Sequence, residues 1–183
     1  MVSKVAAEHK AYEEAMNGIN KTLETMGLDY PDMMIIHSPK PWVKVNQSED
    51  RYVEGSRAAW KALEDAYKAG KLKAIGISNF QIGDIESLME TAEIKPMVDQ
   101  ILLHISNTPL ELVEYCQKNE ICIRYTLQLG AISLPKPGNP AHMKTNADVD
   151  FEISAEDMEV LKHFKKIESY GANSGFPVYG GRL

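Results

Sequence analysis

The chain has 183 residues, a formal net charge of −6 and 44% hydrophobic residues. That is enough apolar material for one substantial core in a single globular domain. The acidic balance argues against nucleic acid as a partner, since phosphate binding needs a basic face. The opening MVSKVAAEHK holds no apolar stretch long enough for a signal peptide, and no later segment is long enough to span a bilayer. Two cysteines, Cys116 and Cys122, are too few for a disulfide framework. They are expected as small buried hydrophobes in a reducing cytoplasm. His9, His104 and His163 are scattered and suggest no metal site.

In chain order, strand and helix signals alternate. VSKVAA reads as a short opening strand. In AYEEAMNGINKTLETMGL, Ala15, Ile19, Leu23 and Met26 recur at helical spacing, and Gly27 closes the helix. MMIIH is an unbroken apolar run, as expected of a strand covered on both faces. GSRAAWKALEDAYKAGK is a second amphipathic helix, with Ala59, Leu63 and Tyr67 on its stripe and Gly70 at its end. AIGIS is a strand, IGDIESLMETA a helix, MVDQILLHI a strand and TPLELVEYCQKN a helix. AISLPK reads as a last strand, and SAEDMEVLKHFKK as a helix capped by Ser154. EICIRYTLQLG is ambiguous. Ile121, Ile123, Tyr125, Leu127 and Leu129 alternate as in a strand, while Cys122, Tyr125 and Leu129 fit a helix stopped by Gly130. The βα alternation favours a parallel sheet with outer helices, either a doubly wound open sheet or a (β/α) barrel. A Rossmann-type domain would carry a Gly-rich strand-to-helix turn, and this chain has none.

KLKAIGISNF, Lys71 to Phe80, resembles the aldo-keto reductases. Other stretches agree, in the right order. LDYPDMMIIHSP is similar to that family's strand bearing a catalytic histidine, and MVDQILLH to its next cofactor-contacting strand. AISLPKPGNPAHMKTNADVDFEIS resembles the segment that grips the adenosine end of the cofactor. The resemblance covers nearly the whole chain. It implies a (β/α)8 barrel with its site at the C-terminal ends of the strands. It also implies reduction of a small-molecule aldehyde or ketone by NADPH. Hydride goes to the carbonyl carbon and a tyrosine protonates the oxygen. A lysine and an aspartate tune that tyrosine, and a histidine orients the substrate.

By this resemblance Lys4, in VSKV, takes the lysine's role and His37 the histidine's. Ser78, Asn79 and Gln100 would hold the nicotinamide amide, a task suited to groups that donate and accept. Asp99 stands where the family often has asparagine, which removes a donor and adds charge. Lys136 would pair with the cofactor's 2′-phosphate, His142 would stand in place of the usual arginine, and Asn146 would meet the adenine. Pro137 replaces a phosphate-binding hydroxyl, and histidine lacks the arginine fork, so discrimination of NADPH from NADH is expected to weaken. Phe176 and Tyr179, in NSGFPVYGGRL, lie in what resembles the family's tail over the substrate mouth, or in a plain flexible terminus.

The resemblance also implies gaps. Tyr12 and Tyr30 do not match the family's tyrosine motif, and the strands carrying its aspartate and tyrosine would precede residue 1. Between EYCQKN and ICIRYTLQLG the seventh barrel strand is expected to be absent, which makes EICIRYTLQLG helical. A full barrel usually needs about 250 residues. The expectation is therefore an incomplete (β/α)8, TIM-barrel-like domain over residues 1–183. It would hold about five parallel strands, those carrying Lys4, His37, Ser78, Gln100 and Lys136, with outer helices. Open sheet edges and uncovered apolar faces would favour a homo-oligomer. The alternative reading is a non-catalytic nucleotide-binding remnant or assembly partner.

Overall fold

The computed structural model describes residues 1–103, 109–119, 122–123 and 154–163. Five strands, β1 (Val2–Val5), β2 (Met33–Ile36), β3 (Ile75–Ser78), β4 (Val98–Gln100) and β5 (Cys122–Ile123), form one sheet in that spatial order. Every pairing is parallel, with Lys4 opposite Ile35, Ile35 opposite Gly76, Ile77 opposite Asp99, and Asp99 opposite Ile123. The crossovers carry helices α1 (Tyr12–Met26), α2 (Val53–Lys68), α3 (Ile82–Met89) and α4 (Leu110–Lys118). Helix α5 (Ala155–Lys162) begins immediately after Ser154. This is the expected incomplete (β/α) barrel architecture.

Local chemistry sets the boundaries. Glu14 reaches back from the first turn of α1 to accept from the Ala11 and Lys10 amides, each at 3.2 Å. Gly27 ends that helix at φ 60°, and the Leu28 amide bonds back to the Leu23 carbonyl at 3.2 Å. Alternation along the strands then sorts their side chains. Met34, Ile36, Ile75 and Ile77 share a core with Ile19, Trp60 and Leu63 of the helices. Ile35 and Val98 point to the other face and are still only 1% and 3% exposed. At these positions, then, that face is not left open to solvent. Gly76 lies on the same line. A Cβ there would stand 2.5 Å from Val98 Cγ1 and 2.7 Å from the Val98 carbonyl oxygen, so glycine permits the close approach of β3 and β4.

Helices α2 and α3 are latched through the segment after α3. Glu64, 1% exposed, accepts the Glu93 and Ile94 amides on Oε1 at 2.7 and 2.9 Å. The Trp60 indole N–H donates to the Ile94 carbonyl at 3.2 Å.

Two expectations need correction. Cys122 and Ile123 are not helical: they pair with Val98 and Asp99 as β5. The open edge of β4 supplies unpaired amides and carbonyls, and pairing there outweighs the helical spacing of the stretch. Residues 124–130, and the strand expected at 131–136, lie outside the described residues. Among the described residues of MVDQILLHI, the strand covers Val98–Gln100 and not Ile101–Leu103. Its ladder ends because its partner ends: Ser78 is in register with Gln100, and Asn79 turns away at φ 63°.

Candidate active site

The C-terminal ends of β1 to β4 gather the polar side chains of the sheet. His37 follows β2, and its amide still donates to the Val5 carbonyl at 3.1 Å, so the ring is carried at the rim of the ladder. The following Ser-Pro-Lys-Pro cannot extend the strand. The half-buried imidazole meets Trp42 edge to face, with centroids 4.9 Å apart and planes at 86°. Lys4 lies in register with Ile35, on the face opposite the helical core. Burial lowers the pKa of its amine. Burial also lowers that of His37. The Lys4 charge adds to this, and Glu8 opposes it. Burial and the Lys4 charge thus favour the neutral, hydrogen-bonding imidazole of His37 over its cation.

Ser78, Asn79 and Gln100 tie three strand ends together. The Ser78 hydroxyl donates to the Gln100 carbonyl at 2.7 Å, and the Asn79 backbone amide donates to the same oxygen at 3.0 Å. The Asn79 side-chain amide donates to the His37 carbonyl and to Ser78 Oγ, both at 3.0 Å. Asn79 tolerates its left-handed backbone because asparagine is among the few residues that do so readily. The structure thus brings Lys4, His37, Ser78, Asn79 and Gln100 to one rim. Lys136, His142, Asn146, Phe176 and Tyr179 lie outside the described residues.

Asp99 departs from expectation. It was read as an added charge near the cofactor, but its residue is 0% exposed and lies in register with the core residue Ile77. Among the described residues neither carboxyl oxygen has a hydrogen-bond partner of ordinary geometry. Burial pushes its pKa well above the usual carboxylate range; the Phe80 amide opposes this, and Asp84 adds to it. The Cys116 thiol of α4 is buried and pushed up to about 12, by burial first and then by Asp99. Cys116 is the inert apolar filler expected. Sequence reasoning missed Trp42 and Glu8. An aromatic five residues beyond His37, across a double-proline turn, was the available signal.

Parallel strands with crossover helices, and a lysine, a histidine and amide side chains at their C-terminal rim, define a barrel-type site. The chain belongs to the aldo/keto reductase family, whose model matches residues 1–121. Among curated proteins it is 33% identical to glyoxal reductase of Bacillus subtilis, over 94% of this chain and 71% of that one. It is 36% identical to the oxidoreductase YtbE of the same organism, over 86% of this chain and 64% of that one. An aldo-keto reductase of Bombyx mori, solved in complex with NADP, superposes with a TM-score of 0.78 at 22% identity, over 99% of this chain and 72% of that one. That likeness is one of fold. The chain thus spans roughly two thirds of the length of its relatives.

Proposed function

We propose that this chain contributes to an NAD(P)H-dependent site that reduces aldehydes or ketones to alcohols, with Lys4 and His37 as its catalytic side chains. The observation that carries the reading is the meeting of Lys4 and His37 at one rim in a chain of this family. When bound, the cofactor supplies a hydride to a carbonyl carbon. A neutral His37 suits the carbonyl oxygen, to which an imidazole N–H can donate. Lys4, half-buried, lends positive potential where negative charge develops on that oxygen.

The rim fits a nicotinamide chemically. A carboxamide carries two N–H donors and one acceptor oxygen, so it needs partners of both kinds, and Gln100 at the end of β4 offers both. Asn79 has its nitrogen committed to His37 and Ser78, so its carbonyl oxygen is the group left for the cofactor. Ser78 acts mainly by holding Gln100. Lys136, His142 and Asn146 complete the proposal at the adenosine end, with NADH as an alternative to NADPH.

A proton donor is also required. Tyr12 donates to Asp65 of α2 at 3.1 Å, and the Tyr30 ring lies 3.9 Å from the Lys73 amine, so neither serves this rim. This favours the second reading for the 183-residue polypeptide by itself: nucleotide binding with little turnover. The exposed outer strand β1, whose Val2 is 40% exposed, would support self-association, and the free thiol of Cys116 suits a cytoplasmic setting.

The experiment is a titration of the purified chain with NADPH, read by tryptophan fluorescence, followed by NADPH oxidation with glyoxal as the small carbonyl probe. Saturable binding that weakens in Gln100→Ala supports the site, and turnover lost in His37→Ala would add the chemistry. Absence of binding to both NADPH and NADH overturns it.

A further inference from the structure

The loop that follows His37 is held far more firmly than a surface connection needs to be. The Lys10 amine donates to the Ser38 carbonyl at 2.7 Å, and the buried Ser56 hydroxyl to the Pro39 carbonyl at 3.0 Å. The Ser38 hydroxyl accepts the Lys40 amide at 3.3 Å, and the Lys40 amine reaches the Ser48 carbonyl at 2.8 Å. The Lys44 amide closes a short 3₁₀ turn, Trp42–Lys44, on the Pro41 carbonyl at 2.9 Å. With φ fixed at two prolines, these bonds restrain the loop, and it returns Trp42 to the imidazole of His37. The Trp42 backbone amide in turn donates to the Glu8 carboxylate, at 3.3 Å, across from the β1–α1 loop.

We propose that Trp42 is the positioning residue of His37. Its indole fixes the plane of the imidazole, and Glu8 anchors the Trp42 backbone so that two loops set that plane together. The proposal rests on the preceding reading only for what His37 does, not for how its ring is held. An edge-to-face pair at this separation is favourable and directional, and a ring so placed loses rotation about its terminal torsion. The indole also excludes water from one side of the imidazole. Burial, to which the packed Trp42 ring contributes, works against a charge on His37; Lys4 on β1 also repels its proton, and Glu8 on the β1–α1 loop attracts it.

The test reads the ring itself and needs no turnover. Histidine labelled with ¹³C at Cε1 is followed by NMR through a pH titration, and the His37 resonance is assigned by its loss in His37→Gln. In Trp42→Ala the resonance is expected to lose its ring-current shift, and its titration midpoint to rise toward that of a free imidazole. Trp42→Phe should retain part of both. In Glu8→Gln the midpoint should fall below that of the wild type. In Trp42→Ala the other four histidine resonances serve as the report on folding. A His37 resonance and midpoint unchanged in Trp42→Ala, with those four also unchanged, overturns the proposal. Failure of NADPH to bind would overturn the functional reading and leave this one standing.

Discussion

Lys10 offers a perturbation whose size follows from its surroundings. Burial under the start of α2 pushes its amine down from 10.5 to about 8, against the opposing pull of Glu8 and Asp84. The stem packs so closely that a Cβ on Gly55 would stand 2.8 Å from Lys10 Cβ. Between pH 8 and 10.5 the unfolded chain keeps this proton and the folded chain does not. Stability therefore rises with pH through that window and is lowest below it. A shift of that size corresponds to about 3 kcal/mol at 1.36 kcal/mol per tenfold change. Lys10→Met keeps the stem and removes the charge, and leaves the Ser38 carbonyl without its donor, a loss of about 1–2 kcal/mol. The variant should be more stable than the wild type by about 1–2 kcal/mol at pH 7 and lose that advantage by pH 10.5. Urea unfolding followed by tryptophan fluorescence at the two pH values measures this. Wild type and variant changing in parallel with pH would refute the assignment of a strained, buried ammonium.

Asp99→Asn tests the opposite titration. With its folded pKa raised, the wild-type carboxyl costs nothing below the unfolded carboxylate value, and stability is lost as pH rises through the folded one. The urea midpoint of the Asn variant should pull ahead of the wild type as pH increases, and a constant difference would count against a neutral Asp99. Gly76→Ala places a methyl against the Val98 carbonyl and should lower stability by about 2–3 kcal/mol, read as a drop in Tm. Glu64→Ala leaves the Glu93 and Ile94 amides without their acceptor and should cost about 3 kcal/mol, while Glu64→Gln keeps the oxygen and should recover much of it. Equal losses in those two variants would mean that the negative charge, which neither keeps, is what Glu64 provides.

Where an element carries its own punctuation, the sequence was sufficient. Gly27 and Gly70 end α1 and α2 with left-handed backbone, as their placement after apolar stripes implied. The unbroken MMII run is buried on both faces, as its composition implied. The lysine, histidine and amide positions came from the family resemblance, and the structure gathers them at one rim. What failed was whatever depends on a neighbour far along the chain. Cys122 and Ile123 are strand because the edge of β4 is open beside them, and no local periodicity records that. Asp99 is an added charge in place of an asparagine by resemblance, yet register places it in line with Ile77 inside the core. Trp42 acts across a turn whose rigidity comes from Lys10 and Ser56, and neither is adjacent to it in sequence.

The order of the sheet has a consequence for how the chain is made. Among the described residues spatial order and chain order coincide, and each strand pairs with the strands before and after it. Among them no pairing waits for a segment synthesised much later, so loop closure stays local at every step. On a ribosome each of these βαβ units can be complete once its second strand and connecting helix emerge, and it offers a finished edge to the next. Assembly of these five strands can follow the direction of translation.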